Sequence, residues 1–433
     1  MTGPGGKVLI VLIYGRRAGT VTQGSDGRLT LTYDEMWQSS STATPVSLSM
    51  PLARRAHDDS KVRAFLWGLL PDNEQVLDRW AQDHQVSARN PFALLHHVGE
   101  DCAGAVQLAT PDRAEAVLAG EGGVKLVDED EIARRIRVLR RDPAAWHLSN
   151  TGQFSLAGAQ AKTALYFDST TQRWGDPWGA VATTHILKPA VSGFNDHDLN
   201  EHLCLETARH LGMNAASSQV ASFGGERVIV VERYDRIRRD GTALRIHQED
   251  MCQALGLPPT AKYQNDGGPT PEQIISLLRQ EIRPSKAAVD DIARFVDALA
   301  FNWIIAGTDA HAKNYSLLLT GAQVRLAPMY DVASALPYDD MYLPRLRMAM
   351  RIGGEYRIEA AVGRHWRRFA AGNSLDPDAT IARIDDLAAR VPANLARATG
   401  ATEVRELGSD LPARLLDQVT ARAARCRKAL AQS

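Results

Sequence analysis

The stretch AGTDAHAKNYSLLL, residues 306–319, decides how the rest of the chain is read. The run VDALAFNWIIAG before it has the period of a buried helix, with Leu299, Trp303 and Ile304 as core and Gly307 as its expected stop. Thr308, Asp309, His311, Lys313 and Asn314 then form a polar loop. YSLLL reads as a strand, Thr320-Gly321-Ala322-Gln323 as a turn, and VRLAPMYD as a second strand ending at Asp331. Asp309 and Asn314 are thus separated by four residues on a loop between a helix and a hairpin, with a further Asp at the hairpin's far end. Asp and Asn recur in loops because they stabilise turns. The ordered setting, more than the pair, makes the stretch informative.

Protein kinases carry this order: an Asp that orients and deprotonates the acceptor hydroxyl, an Asn that holds magnesium, and a metal-binding Asp after a hairpin. On that template Asp309 is the candidate base, and Asn314 and Asp331 are the candidate magnesium ligands. The template also demands parts upstream. FSLAGAQAKTALYFD, residues 154–168, places Gly158 among small residues before a strand, which suits a phosphate-covering turn because backbone N–H groups reach phosphates only past small side chains. THILKP ends a strand at Lys188, and the helix NEHLCLETARHLG offers Glu201 as its ion-pair partner against the nucleotide phosphates. VIVVERYDR, residues 228–236, ends at Glu232, Arg233 and Tyr234, where a kinase holds adenine by backbone hydrogen bonds.

The remaining sequence sets the frame. A chain of 433 residues allows two or three domains. Fifty Lys and Arg against 51 Asp and Glu leave a net charge of -1, which argues against coating nucleic acid by bulk charge. Four scattered cysteines indicate neither a disulfide framework nor a zinc site, and a cytoplasmic setting is expected. No apolar run approaches the ~20 residues of a membrane span, and VLIVLIY, residues 8–14, reads as a buried strand, so no membrane partner is expected. Residues 1–125 read as an α/β subdomain, with helices over 60–86 broken at Pro71-Asp72-Asn73 and a plain connection over 110–125. Residues 126–235 read as a strand-rich lobe whose helix 128–141 presents a solvated basic face, and 236–433 as a helical lobe. NDHDLNEH, residues 195–202, lacks metal-site spacing and reads as a helix start. The fold class is α+β: a protein-kinase-like bilobal fold with an additional N-terminal α/β subdomain and a mainly helical C-terminal lobe.

The segments SLAGAQAKTAL, THILKP, RIHQEDMCQALGLPPTAKYQNDGGP, GTDAHAKNYS and PMYDVASALPY resemble the HipA family of toxin kinases. PVSLSMPL, DNEQVLDRW and GEDCAGAVQL extend the resemblance through the N-terminal region. It implies a serine/threonine protein kinase using ATP and magnesium, the toxin of a type II toxin–antitoxin module linked to persistence. Carried over by position, Ala157, Gly158, Ala159, Gln160, Ala161 and Lys162 form the nucleotide-covering loop, and Lys188 contacts the phosphates. Glu232, Arg233 and Tyr234 form the hinge. His311, Lys313 and Tyr330 border the ATP site, and Ser155 is the autophosphorylated serine. A phosphate there adds about -1.5 to -2 charge and should expel the loop. The implied partners are a HipB-like helix-turn-helix antitoxin, operator DNA reached through the antitoxin, and a protein substrate such as an aminoacyl-tRNA ligase, which is glutamate–tRNA ligase for the family's best-known member.

Thr308-Asp309 stands where ordinary protein kinases have His-Arg-Asp, and Asp331-Val332-Ala333 where they have Asp-Phe-Gly; the family shares both departures. GRHWRR, residues 363–368, matches only loosely, so no DNA-contact residue is carried over. Two other readings stay open on the residues alone: a small-molecule phosphotransferase of the aminoglycoside or choline kinase type, and an inactive scaffold for antitoxin and DNA.

Overall fold

The structure, a computed structural model, describes residues 7–146, 154–191, 193–239 and 241–432. The apolar strand Lys7–Ile13 lies in a five-stranded antiparallel sheet between Arg16–Gln23 and Val106–Ala109. It is apolar without alternation because both faces are covered. Leu9, Val11 and Ile13 enter a large core under the helices Asp59–Gly68, Glu74–Asp83 and Pro91–Val98. Ile10 and Leu12 meet Ala114 and Val117 of a helix, Pro111–Leu118. That helix replaces the plain connection expected over 110–125: Pro111 suits a first helical turn, and Ala114 and Val117 give it one buried stripe. The break at Pro71-Asp72-Asn73 is held by Asn73, whose side chain accepts from the Gln75 N–H at 3.0 Å and caps the next helix.

A second, six-stranded antiparallel sheet runs Ser218–Phe223, Glu226–Glu232, His185–Pro189, Thr163–Asp168, Arg173–Gly179, Gly122–Val127. Its last strand begins before residue 125 and pairs with Arg173–Gly179, so residues 122–125 belong to this lobe by pairing. Helix Glu129–Arg141 lies on the sheet through Ile132, Ala133, Ile136 and Leu139. The solvated basic face expected there needs one correction. Arg135 is buried, forked onto Asp176 by two bonds of 2.6 Å, because a carboxylate on the strand beneath gives its charge a partner.

Strand Glu226–Glu232 sends alternate residues to opposite sides. Val228 and Val230 join the core that also holds Leu9, Val11 and Phe65 of the N-terminal subdomain. Ile229 and Val231 join the core of the helical lobe. The subdomain and the sheet lobe therefore share one core, and the strand separates it from the next.

The helical lobe contains a three-stranded sheet, His247–Asp250, Ser316–Thr320 and Gln323–Leu326, and the long helices Ser285–Ile305, Pro377–Thr399 and Leu411–Leu430. Two sequence expectations shift here. The second hairpin strand stops at Leu326 and not at Asp331, since Pro328 has no N–H to continue a ladder. Asp331 instead stands alone with left-handed backbone, φ +56°. The helix before the loop ends on Ala306, itself left-handed at φ +55°. Gly307 is needed for space, as a Cβ there would come within 2.3 Å of the Asn302 side-chain oxygen.

Candidate active site

Between the lobes opens a cavity of about 490 Å³. The loop after helix Ser285–Ile305 forms one wall. Its single turn Ala312–Asn314 is closed by the Asn314 N–H, which donates to the His311 carbonyl at 2.9 Å, and by the Tyr315 N–H, which donates to the Ala312 carbonyl at 3.4 Å. The Asn314 amide donates to the Asp309 carbonyl at 2.8 Å, and the His311 N–H donates to the same carbonyl at 2.8 Å, which fixes the loop about Asp309. The Asp309 carboxylate is exposed and accepts from the Tyr263 phenol. His311 is buried edge-on to the Tyr263 ring, and burial pushes its imidazole below the usual value against the pull of Asp309.

Across the cavity Lys188, at the end of its strand, meets Glu201 at 2.8 Å and Asp331 at 2.8 Å. Glu201 is on helix His197–His210 and fully buried. Burial would lower the Lys188 ammonium; the Asp331 and Glu201 charges outweigh it and hold it above its ordinary value. Burial would raise Asp331, and Lys188 with Lys162 overrides it, keeping the carboxyl ionised well below the usual range. The left-handed backbone of Asp331 brings that carboxylate to the lysine.

The small-residue loop lies over the same space. Gly158 has φ +103°, and a Cβ on it would stand 2.7 Å from the Lys162 ammonium. Lys162 donates to the Ala157 carbonyl at 2.7 Å and sits 5.0 Å over the Trp146 ring. Burial, with the Lys188 charge adding to it, pushes Lys162 down to about 8. Ala157, Gly158, Ala159 and Gln160 border the cavity, whereas Ala161 is turned into the core. Ser155 is apart from the cavity. It is fully buried, its hydroxyl donating to the Leu69 carbonyl at 2.8 Å and its N–H to the Asp101 carbonyl at 2.9 Å.

Where strand Glu226–Glu232 ends, Glu232, Arg233 and Tyr234, expected to form a hinge, reach the cavity. The Glu232 and Arg233 N–H groups already donate to the Ser217 and Thr184 carbonyls at 2.9 Å each, so a base bound there needs other backbone groups. The Arg233 guanidinium points away, into a buried network with Asp101, Asp235 and Thr183. Tyr330 lies 5.5 Å from the Tyr234 ring and shares a 2.6 Å bond with Ser316. Lys313 is buried against Asp72. Asp196 and Asp198, from the acidic helix start, are taken by Arg227.

Asp72, Lys262 and Asp250 line the cavity and Tyr263 reaches Asp309 from beside it, and sequence reasoning assigned none of them to the site. Asp72 lies in what reads as a helix break. Lys262 and Tyr263 lie in PPTAKYQNDGGP, which carries no period or motif chemistry of its own. Asp250 caps helix Met251–Leu255, and burial pushes it up to about 6.

A sheet lobe that holds a lysine–carboxylate pair over a helical lobe that holds an Asp–Asn loop defines the kinase-like fold. Residues 9–109 match the HipA N-terminal domain, and residues 154–395 match the HipA-like C-terminal domain. Putative kinase Y4mE of Sinorhizobium fredii is 37% identical over 84% of this chain and 85% of its own. The serine/threonine-protein kinase toxin HipA of Shewanella oneidensis is 28% identical over 84% and 82%. The solved complex of HipA, HipB and operator DNA from Shewanella oneidensis superposes with a TM-score of 0.81 at 25% identity, covering 98% of both chains. The chain belongs to the HipA family.

Proposed function

We propose that this protein transfers the γ-phosphoryl group of ATP to a serine or threonine hydroxyl of a protein, as the toxin of a type II toxin–antitoxin module. One observation carries the reading: Lys188 spans Glu201 and Asp331 across the cavity from a loop in which Asn314 braces Asp309. Asp309 accepts the hydroxyl proton as the hydroxyl oxygen bonds to the γ-phosphorus and the bridging P–O bond breaks to release ADP. Lys188 keeps Glu201 and exchanges Asp331 for phosphate oxygens. The Asp331 carboxylate and the Asn314 amide oxygen are hard donors that suit magnesium. Held there, magnesium would neutralise charge on the phosphates. Positioning and charge neutralisation account for catalysis, as phosphoryl transfer asks little covalent chemistry of the protein.

On this reading Ser155 is the autophosphorylated residue. Its hydroxyl has no exposure, so the segment must leave the Leu69 and Asp101 carbonyls before modification. The added charge then keeps it out and switches the kinase off. A HipB-like antitoxin neutralises the toxin, and the near-zero net charge fits operator DNA being reached through that partner. The protein substrate is of the aminoacyl-tRNA ligase class. No helix among the described residues is long and apolar enough to cross a membrane.

The test is Asp309→Gln. Phosphoryl transfer should fall by about 10²–10⁴-fold, binding of a non-hydrolysable ATP analogue should persist, and growth arrest on induction should vanish. Growth arrest by that variant equal to wild type would refute the mechanism.

A further inference from the structure

Lys313, beside Asp309 and Asn314 in sequence, is turned to a residue of the N-terminal subdomain. Asp72 lies between helices Asp59–Gly68 and Glu74–Asp83, yet its carboxylate reaches the cavity. One oxygen takes the Lys313 ammonium, and the other takes Lys262 at 3.1 Å. The Asp72 N–H donates to the Gly158 carbonyl at 3.0 Å. The Lys262 carbonyl accepts the Ala312 N–H at 3.1 Å. A single residue thus joins the small-residue loop, the Asp309 loop and the segment that carries Tyr263. Side-chain exposure is 10% for Asp72 and 3% for Lys313, so water does little to screen the set. Burial alone would raise the Asp72 carboxyl; Lys313 and Lys262 overcome it and keep it ionised.

We propose that Asp72 is a positioning residue for phosphoryl transfer, supplied by the N-terminal subdomain, which aims Lys313 and Lys262 at the transferring phosphoryl group. The proposal rests on the kinase reading above. Two ammonium groups meet on one carboxylate, and the neighbouring Asp250 carboxylate offsets part of their charge. A polyphosphate entering the cavity brings anionic oxygens to the two ammonium groups, while Asp72 keeps the lysines in place. Without Asp72 the set gains positive charge and still attracts nucleotide, but its cations lose their fixed direction. Binding and turnover therefore separate: ground-state attraction is kept, and stabilisation in the transition state is lost.

The experiment measures ADP release from magnesium-ATP by full-length wild type, Asp72→Asn and Asp72→Glu, with thermal melting to confirm folding. Asp72→Asn should lower kcat by about tenfold to a hundredfold, with KM for ATP unchanged or lower. Asp72→Glu, which keeps the charge, should return to within about threefold of wild type. A folded Asp72→Asn protein with kcat within about twofold of wild type, or with a raised KM and an unchanged kcat, would overturn the role. If Asp72→Asn does not fold, the comparison is made on a Lys262→Met background, which removes one of the two like charges. There, Asp72→Asn should again cut kcat about tenfold at constant KM, and equal kcat would overturn the role. Absence of ADP release by wild type sinks the kinase reading itself. Wild-type turnover with an unaffected Asp72 variant sinks only the positioning role.

Discussion

Two clusters of lysine and carboxylate face one cavity, and they are electrostatic mirror images. In the first, one cation, Lys188, stands between the anions Glu201 and Asp331. In the second, one anion, Asp72, stands between the cations Lys262 and Lys313. Counting its own members, the first lacks positive charge and the second lacks negative charge. Neighbours offset both counts, Lys162 acting on Asp331 in the first and Asp250 on Lys313 and Asp72 in the second. The first cluster is built within the two kinase lobes. The second borrows its central residue from the subdomain, so that subdomain is part of the site and not an appendage.

The comparison can be broken at several points. Lys188→Met should have the largest effect, a fall of about a thousandfold in ADP release, or about 4 kcal/mol of transition-state stabilisation. A loss no greater than that of Asp72→Asn would erase the ranking of the clusters. Next comes the subdomain's other buried carboxylate. Asp101 reaches Arg236 at 3.1 Å, Arg245 at 3.0 Å and Arg233 at 3.6 Å, all nearly inaccessible. Asp101→Asn leaves buried charge uncompensated and should cost about 3 kcal/mol in denaturant unfolding. A cost below about 1 kcal/mol would mean that the hinge does not depend on the subdomain.

The smallest effect sharpens the contrast through Lys162, a buried cation that joins Lys188 in holding Asp331 ionised. Its folded value of about 8 lies below the 10.5 of a free lysine. Between those values the unfolded chain binds more protons, so stability rises with pH there, and the full penalty is present below about 8. Lys162→Met should therefore stabilise the protein by about 1 kcal/mol at pH 7, once the lost contact with Trp146 and the lost hydrogen bond to the Ala157 carbonyl are discounted. Melting curves should show that gain shrinking as pH climbs from 8 towards 10.5. A gain independent of pH would show that Lys162 is not penalised by burial.

The first cluster was legible because each member ends or begins a periodic element: Lys188 a strand, Glu201 a helix, Asp331 the run after a hairpin. Only the left-handed backbone of Asp331 was hidden, since it reflects local packing that no side-chain pattern reports. The second cluster was illegible for a different reason. Asp72 lies 190 residues from Lys262 and 241 from Lys313, and Pro71-Asp72-Asn73 is fully explained locally as a helix break. A residue with a sufficient local role gives no sign of a distant one. Arg135 shows the same limit, for a helix rich in arginine conceals which of them has a carboxylate beneath it. The Pro111–Leu118 helix was missed because Ala and Gly dominate its surroundings and only two of its residues face a core.

Strand Glu226–Glu232 has a consequence for how this sequence can drift. Val228 and Val230 answer to side chains near the start of the chain, and Ile229 and Val231 to side chains drawn largely from its second half. A larger residue at Val230 must be accommodated in the core that the sheet lobe shares with the N-terminal subdomain, while one at its neighbour Ile229 must be accommodated in the core of the helical lobe. Adjacent residues of one strand thus answer to two different cores, and a change of volume at either is felt on one side of the sheet only.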